Sequence, residues 1–307
     1  MAASTSIQAE QEKSRAALNS VIAAIGLTTM KIIVGVLTGS LGILAEAAHS
    51  ALDLVAALVT YFAVRAADKP ADSEHLYGHG KIENLSALFE TLLLLVTCVW
   101  IIIEAIQRLF FKSVHVEASV WSFLVMGISI VVDYTRSRML YRTAKKYNSQ
   151  ALEADALHFS TDIWSSTVVI LGLVGVLLSE KIPALKYLDK ADSVAALGVA
   201  IIVMIVSIQL GQRTIQALLD SAPGGMAEKI EKAVEALPGV MDCHQVRVRS
   251  SGAHIFVDVH VLVDGSQPLS EVHALTETIE QTIQLIAPGA DVTVHPEPVD
   301  PPDDYSI

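Results

Sequence analysis

Two copies of His-x-x-x-Asp, His49/Asp53 and His158/Asp162, lie inside long apolar stretches of the sequence. Ionisable groups at membrane depth are costly to bury and mark ion paths or binding sites. A spacing of four residues stacks His over Asp on one face of a helix. Two such faces brought together offer two imidazole nitrogens and two carboxylates, a tetrahedral set suited to zinc. With both Asp ionised and both His neutral, the set has a charge of about -2, which balances one dication without leaving charge stranded in a medium of low dielectric constant.

A second group, Asp72, His75 and His79, falls in a short polar stretch with Glu74 able to stand in as a ligand. Gly78 and Gly80 give that backbone the freedom to fold two imidazoles toward one ion. A third set is spread over the C-terminal part: His244, His260, His273 and His295, with Asp258, Asp291 and Glu297 nearby. Four histidines in so short an acidic stretch favour a metal cluster over surface scatter. His115 and His254 fit no set. Lys31, Glu46, Glu90, Glu104 and Asp133 also fall within apolar stretches, and Glu46 lies three residues before His49.

The elements that position these residues follow from composition. Of 307 residues, 52% are hydrophobic and only 18% charged, below the roughly 25% of an ordinary soluble domain. The apolar residues clump near 16–38, 41–64, 84–111, 117–140, 155–179 and 193–217, each near the ~20 residues that span a bilayer. The first dozen residues are polar and precede no cleavage-like site, so no removable signal peptide is expected. Lys13, Arg15, Arg65, Lys69, Lys81, Arg136, Arg138, Arg142, Lys145 and Lys146 outnumber Arg108, Lys112, Lys181, Lys186 and Lys190 on the other side. That bias predicts six spans with both termini cytoplasmic. A net charge of -12 with no basic stripe excludes a nucleic-acid partner. Cys98 and Cys243 stand far apart and form no CxxC motif, so each is read as a buried small hydrophobe.

After Asp220 the pattern changes. Ser221-Ala-Pro-Gly-Gly225 breaks the last span. Met226–Leu237 and Leu269–Ile286 have helical period, while Val246–Ser250, His254–Leu262 and Asp291–His295 alternate as strands. The order αββαβ predicts a small α+β, ferredoxin-like (split βαβ) domain after an all-α six-helix transmembrane domain. From Pro296 onward the Pro- and Asp-rich tail is expected to be disordered.

The chain resembles the cation diffusion facilitator family, bacterial zinc/proton antiporters in particular. The residues that carry the likeness are Gly39-Ser-Leu-Gly-Ile-Leu-Ala, His49-Ser-Ala-Leu-Asp53, His75-x-x-Gly-His-Gly-Lys81, Asp155-Ala-Leu-His158-x-x-x-Asp162 and Leu218-Leu-Asp220. The resemblance implies an N-terminal cytoplasmic tail over 1–15, a transport domain over 16–220, a cytoplasmic metallochaperone-like domain over 221–296 and a flexible tail over 297–307. It implies a transport site at His49, Asp53, His158 and Asp162, and a loop site at Asp72, His75 and His79. A binuclear dimer-interface site falls on His244, His260, His273 and His295, with Glu297 where bacterial relatives have Asp. Lys81 and Asp220 map onto a charged interlock. The implied protein is a homodimer in the inner (plasma) membrane, not an enzyme and without an organic cofactor, with Zn²⁺ both transported and regulatory.

His49 tilts the expectation toward zinc, since Asp at that position accompanies broader specificity in the family. The mixed nitrogen and oxygen set also suits Zn²⁺ better than Mg²⁺ or Mn²⁺. The sequence therefore predicts Zn²⁺/H⁺ antiport out of the cytosol. Export of Fe²⁺, Co²⁺, Mn²⁺ or Cd²⁺ stays open, as do a membrane metal sensor that does not transport and an intramembrane metalloenzyme.

Overall fold

A computed structural model describes residues 2–110, 120–181 and 191–299. Six long helices come first: α1 (Ala2–Thr38), α2 (Leu41–Ala67), α3 (Lys81–Phe110), α4 (Val120–Tyr147), α5 (Gln150–Lys181) and α6 (Ala191–Leu218). Among the described residues, α1, α2, α3 and α6 each contain a stretch long and apolar enough to cross a membrane. Gly39, with φ +66°, ends α1 in the left-handed conformation that glycine adopts most cheaply. The next residue, Ser40, caps α2 by accepting a hydrogen bond from the Ile43 amide at 3.4 Å.

The bundle buries an unusual number of charged residues and turns large apolar side chains outward. Ile33, Leu37, Leu52, Phe62, Leu92, Val96, Trp100 and Ile202 are exposed, whereas Lys13, Lys31, Asp53, Glu83, Glu90, Arg136 and Asp155 are buried. So large an apolar exterior suits hydrocarbon and not water. A cluster of Ala16, Val64, Leu140, Ala144, Leu152 and Phe159 packs α1, α2, α4 and α5 together. Arg136 lies 3.5 Å from the centre of the Phe159 ring, reaches Asp133 Oδ1 at 3.2 Å and donates to Ser20 Oγ at 3.1 Å.

Residues 2–15, the expected N-terminal tail, are helical and form the first turns of α1. Lys13 holds them there, because its buried ammonium binds Asp68 after α2 and Glu83 at the start of α3. Removing one partner of such a buried pair leaves the other uncompensated, at a cost of roughly 3–5 kcal/mol.

The C-terminal unit is α7 (Met226–Glu235), β1 (Asp242–Ser251), β2 (His254–Asp264), α8 (Leu269–Ile286) and β3 (Asp291–Val299). The sheet order is β1-β2-β3, with β1 antiparallel and β3 parallel to β2. Val257, Val259, Val261, Ile230, Val234, Ile279 and Ile283 fill the core between sheet and helices. β1 begins four residues before the expected strand, and a bulge between His244 and Arg247 interrupts its pairing. β3 continues through Pro296 and Pro298 to Val299, so the expected disorder from Pro296 is corrected as far as that residue. Proline is tolerated because β3 pairs on one side only, and an edge strand can present the missing amide outward. His115, Lys112, Lys186 and Lys190 lie outside the described residues.

Candidate metal centres

Helical period brings His49 and Asp53 onto one face of α2, and His158 and Asp162 onto one face of α5. The two faces meet. His158 Nε2 lies 3.1 Å from Asp53 Oδ1 and 3.7 Å from Asp162 Oδ2. His49 Nε2 lies 3.8 Å from Asp162 Oδ1 and 3.9 Å from Asp53 Oδ1. Each nitrogen therefore faces both carboxylates. Four ligands tetrahedral about zinc at 2.0–2.1 Å are separated by about 3.3 Å along each edge. Three of these four edges would shorten by about 0.4–0.6 Å and the 3.1 Å edge would open by about 0.2 Å to meet that geometry. Lys31, Glu46, Ser50, Asp133 and Arg136 complete a cavity of about 40 Å³ with His49, Asp53 and Asp162. That is room for an ion and a little water.

The loop between α2 and α3 brings its three expected ligands together. Asp72 lies 3.4 Å from His75 Nδ1 and 3.3 Å from His79 Nε2, and the imidazole centroids are 4.4 Å apart. Asp72 Oδ1 accepts the amides of Glu74 at 2.9 Å and His75 at 2.7 Å. The His75 amide, first of these, holds its carboxyl below the usual range. The carboxylate is thereby both ionised and aimed.

The same loop docks on the C-terminal unit, which the sequence did not reveal. Tyr77 meets the Phe256 ring at 5.3 Å between centroids, and the Arg249 guanidinium lies 4.0 Å over Tyr77. The Gly252 amide donates to Asn84 Oδ1 at 3.2 Å. Lys81 Nζ lies 2.9 Å from Asp220 Oδ1, so these two residues meet where α3 begins and α6 has just ended.

Strand register builds the third cluster. His244 pairs with His260 across β1 and β2, and His260 with His295 across β2 and β3. Three imidazoles thus form a row across the sheet. Glu297, two residues along β3 and so on the same face, reaches His260 Nδ1 at 2.7 Å, His244 Nε2 at 3.4 Å and His295 Nε2 at 3.7 Å. The hydrogen bond with His260 holds the Glu297 carboxyl below its usual range. His273 stands apart on α8, exposed and 3.7 Å from Glu277. Glu46, Glu90 and Asp133 all have partners: Lys31 at 3.3 Å, Thr60 at 2.8 Å and Arg136 at 3.2 Å.

Comparison with known proteins identifies both domains. Residues 17–219 match the cation efflux transmembrane domain, and residues 222–299 match the cytoplasmic domain of cation efflux proteins. The chain is 31% identical to a cation-efflux pump FieF of Pectobacterium atrosepticum, covering 92% of each protein. It is 32% identical to that of Cronobacter sakazakii, over 93% of this chain and 92% of that protein. A solved metal-bound C-terminal domain of the CzcD transporter from Thermotoga maritima is 30% identical, with a TM-score of 0.23, over 25% of this chain and 92% of that one. With both domains matched in order along a multi-helix membrane protein, the chain belongs to the cation diffusion facilitator family of cation efflux transporters.

Proposed function

We propose that this transporter exports Zn²⁺ from the cytosol in exchange for protons. The observation that supports zinc most directly is the ring of two imidazoles and two carboxylates, edges 3.1–3.9 Å, held between α2 and α5. Four mixed nitrogen and oxygen ligands favour zinc over cations that demand six oxygens.

Exchange follows from the ligand types. Zinc binds neutral imidazoles and ionised carboxylates, so protons compete with it for the same atoms. In the inward-facing state His49, Asp53, His158 and Asp162 take the ion from the cytosol. Outward opening exposes them to a more acidic medium, where His49 and His158, imidazoles that ordinarily titrate near neutrality, accept protons as the ion leaves. The return movement brings those protons inward. All six long helices cross the membrane in this reading, with both termini cytoplasmic and the protein in the inner membrane. The ferredoxin-like cytoplasmic unit joins a homodimer and senses zinc through His244, His260, His295 and Glu297, with His273 supplied at the interface. Asp72, His75 and His79 bind a further ion where the loop meets that unit.

A competition series in proteoliposomes tests the metal. Zinc uptake should be reduced by Cd²⁺ and Co²⁺ far more than by equal Mg²⁺ or Mn²⁺. Equal competition by Mn²⁺ would overturn the preference, and no uptake of any cation would favour a sensor.

A further inference from the structure

The transport cavity holds two cations of its own. Its lining includes four carboxylates, Glu46, Asp53, Asp133 and Asp162, against Lys31 and Arg136. With the imidazoles neutral these leave a net charge of -2, all of it on the two carboxylates assigned to the ion. Each resident cation is matched to a carboxylate outside the ligand set: Arg136 to Asp133 at 3.2 Å and Lys31 to Glu46 at 3.3 Å.

The two pairs differ in how firmly they are held. Arg136 and Asp133 share α4, and Arg136 is also fixed by Ser20 and Phe159. Lys31 on α1 bridges to α2, donating to Ser50 Oγ at 2.7 Å and to Glu46. Its side chain is 7% exposed, whereas that of Glu46 is 40% exposed. The ammonium is thus confined to the cavity while its partner sits at the mouth. Two of its three N–H donors are spent on these oxygens, and Ser50 directly follows the ligand His49 in sequence.

We propose that Lys31 is a charge-setting residue of the transport cavity, whose confined ammonium, balanced by Glu46, keeps the cavity at -2 so that a dication is bound yet released. The inference rests on the reading of this cavity as the transport site. Neutralising Lys31 leaves three uncompensated carboxylates facing the ion, which tightens binding and slows release. Neutralising Glu46 does the reverse. A lysine that merely ties α1 to α2 predicts a different pattern, because losing either partner, or both, would cut the same tie.

The experiment is zinc flux into proteoliposomes containing the full chain as wild type, Lys31→Met, Glu46→Gln, the double variant and Lys31→Arg. Lys31→Met should lower the KM for zinc on the order of tenfold, one unit charge acting on a dication in a wet cavity, and lower maximal flux with it. Glu46→Gln should raise KM by a similar factor. The double variant should return to within about threefold of wild type, and Lys31→Arg should stay there. Lower flux in Lys31→Met without a lower KM, or a double variant no closer to wild type than Lys31→Met, overturns the proposal. If Lys31→Met does not assemble, Glu46→Gln decides alone: an unchanged or lowered KM refutes it. Failure of the transport reading looks different, because wild type itself would then show no flux.

Discussion

Gly80→Ala should undock the C-terminal unit from the α2–α3 loop. A Cβ built on Gly80 lies 2.1 Å from the Ser251 carbonyl oxygen, against 3.4 Å for ordinary contact. The obstacle is backbone, so no side-chain rotation relieves it, and the loop and the β1–β2 turn must part by about 1.3 Å. The Gly252 amide, now 3.2 Å from Asn84 Oδ1, would then be out of hydrogen-bond range. Loss of that bond, worth about 1 kcal/mol, and partial loss of the Tyr77–Phe256 contact, worth ~0.5–1.5 kcal/mol, together predict a 10- to 50-fold rise in the undocked population. Hydrogen exchange across residues 250–257 of the detergent-solubilised protein reads this directly. Faster exchange there, with the α8 peptides unchanged, is the expected result, and Asn84→Ala should reproduce it in milder form. Exchange at wild-type rates in Gly80→Ala would refute the docking argument.

Other consequences follow from the same geometry. His49→Asp keeps four ligands but exchanges nitrogen for oxygen, so it should narrow the preference for zinc over manganese at least several-fold in competitive uptake; an unchanged ratio would remove His49 as the basis of that preference. Glu297 has its carboxyl held low by His260, so its contribution to folding is present above the unfolded value of about 4.3 and is lost as pH falls through the folded one. Glu297→Gln should therefore flatten the acid limb of the thermal midpoint measured between pH 3 and 6, and an identical limb would contradict the assignment. Burial, reinforced by Glu231, Glu235 and Asp242, pushes the Cys243 thiol up to about 11. Only about one molecule in ten thousand is then thiolate at pH 7, so native protein should resist N-ethylmaleimide at this residue by mass spectrometry and react promptly once denatured.

The meeting of His49, Asp53, His158 and Asp162 was legible because a spacing of four is itself a statement about a helix face, and two such costly pairs in separate apolar segments rarely arise independently. α8 was legible in full, from Leu269 to Ile286, because its amphipathic period runs without interruption. His244, His260 and His295 were legible as a set but not as a row, since one sequence states which residues alternate but not which lie opposite on a neighbouring strand. The bulge at His244 and the prolines of β3 hid strand ends for the same reason: their local signals favour turns, and edge pairing outweighs them. In the sequence Lys13 stands only as a charge ahead of the first span. Only the fold, which brings it 2.8 Å from Glu83 at the start of α3, makes the two a buried pair. The docking of Tyr77 on Phe256 joins residues 179 positions apart and has no local signature.

Zinc-driven proton movement in proteoliposomes tests the central claim most directly, with a pH-sensitive dye inside and a zinc indicator reporting uptake. The account predicts that zinc entering the vesicles drives protons out, and that Asp53→Ala abolishes both signals. Zinc uptake with no proton movement, or coupled movement unchanged in Asp53→Ala, would contradict it.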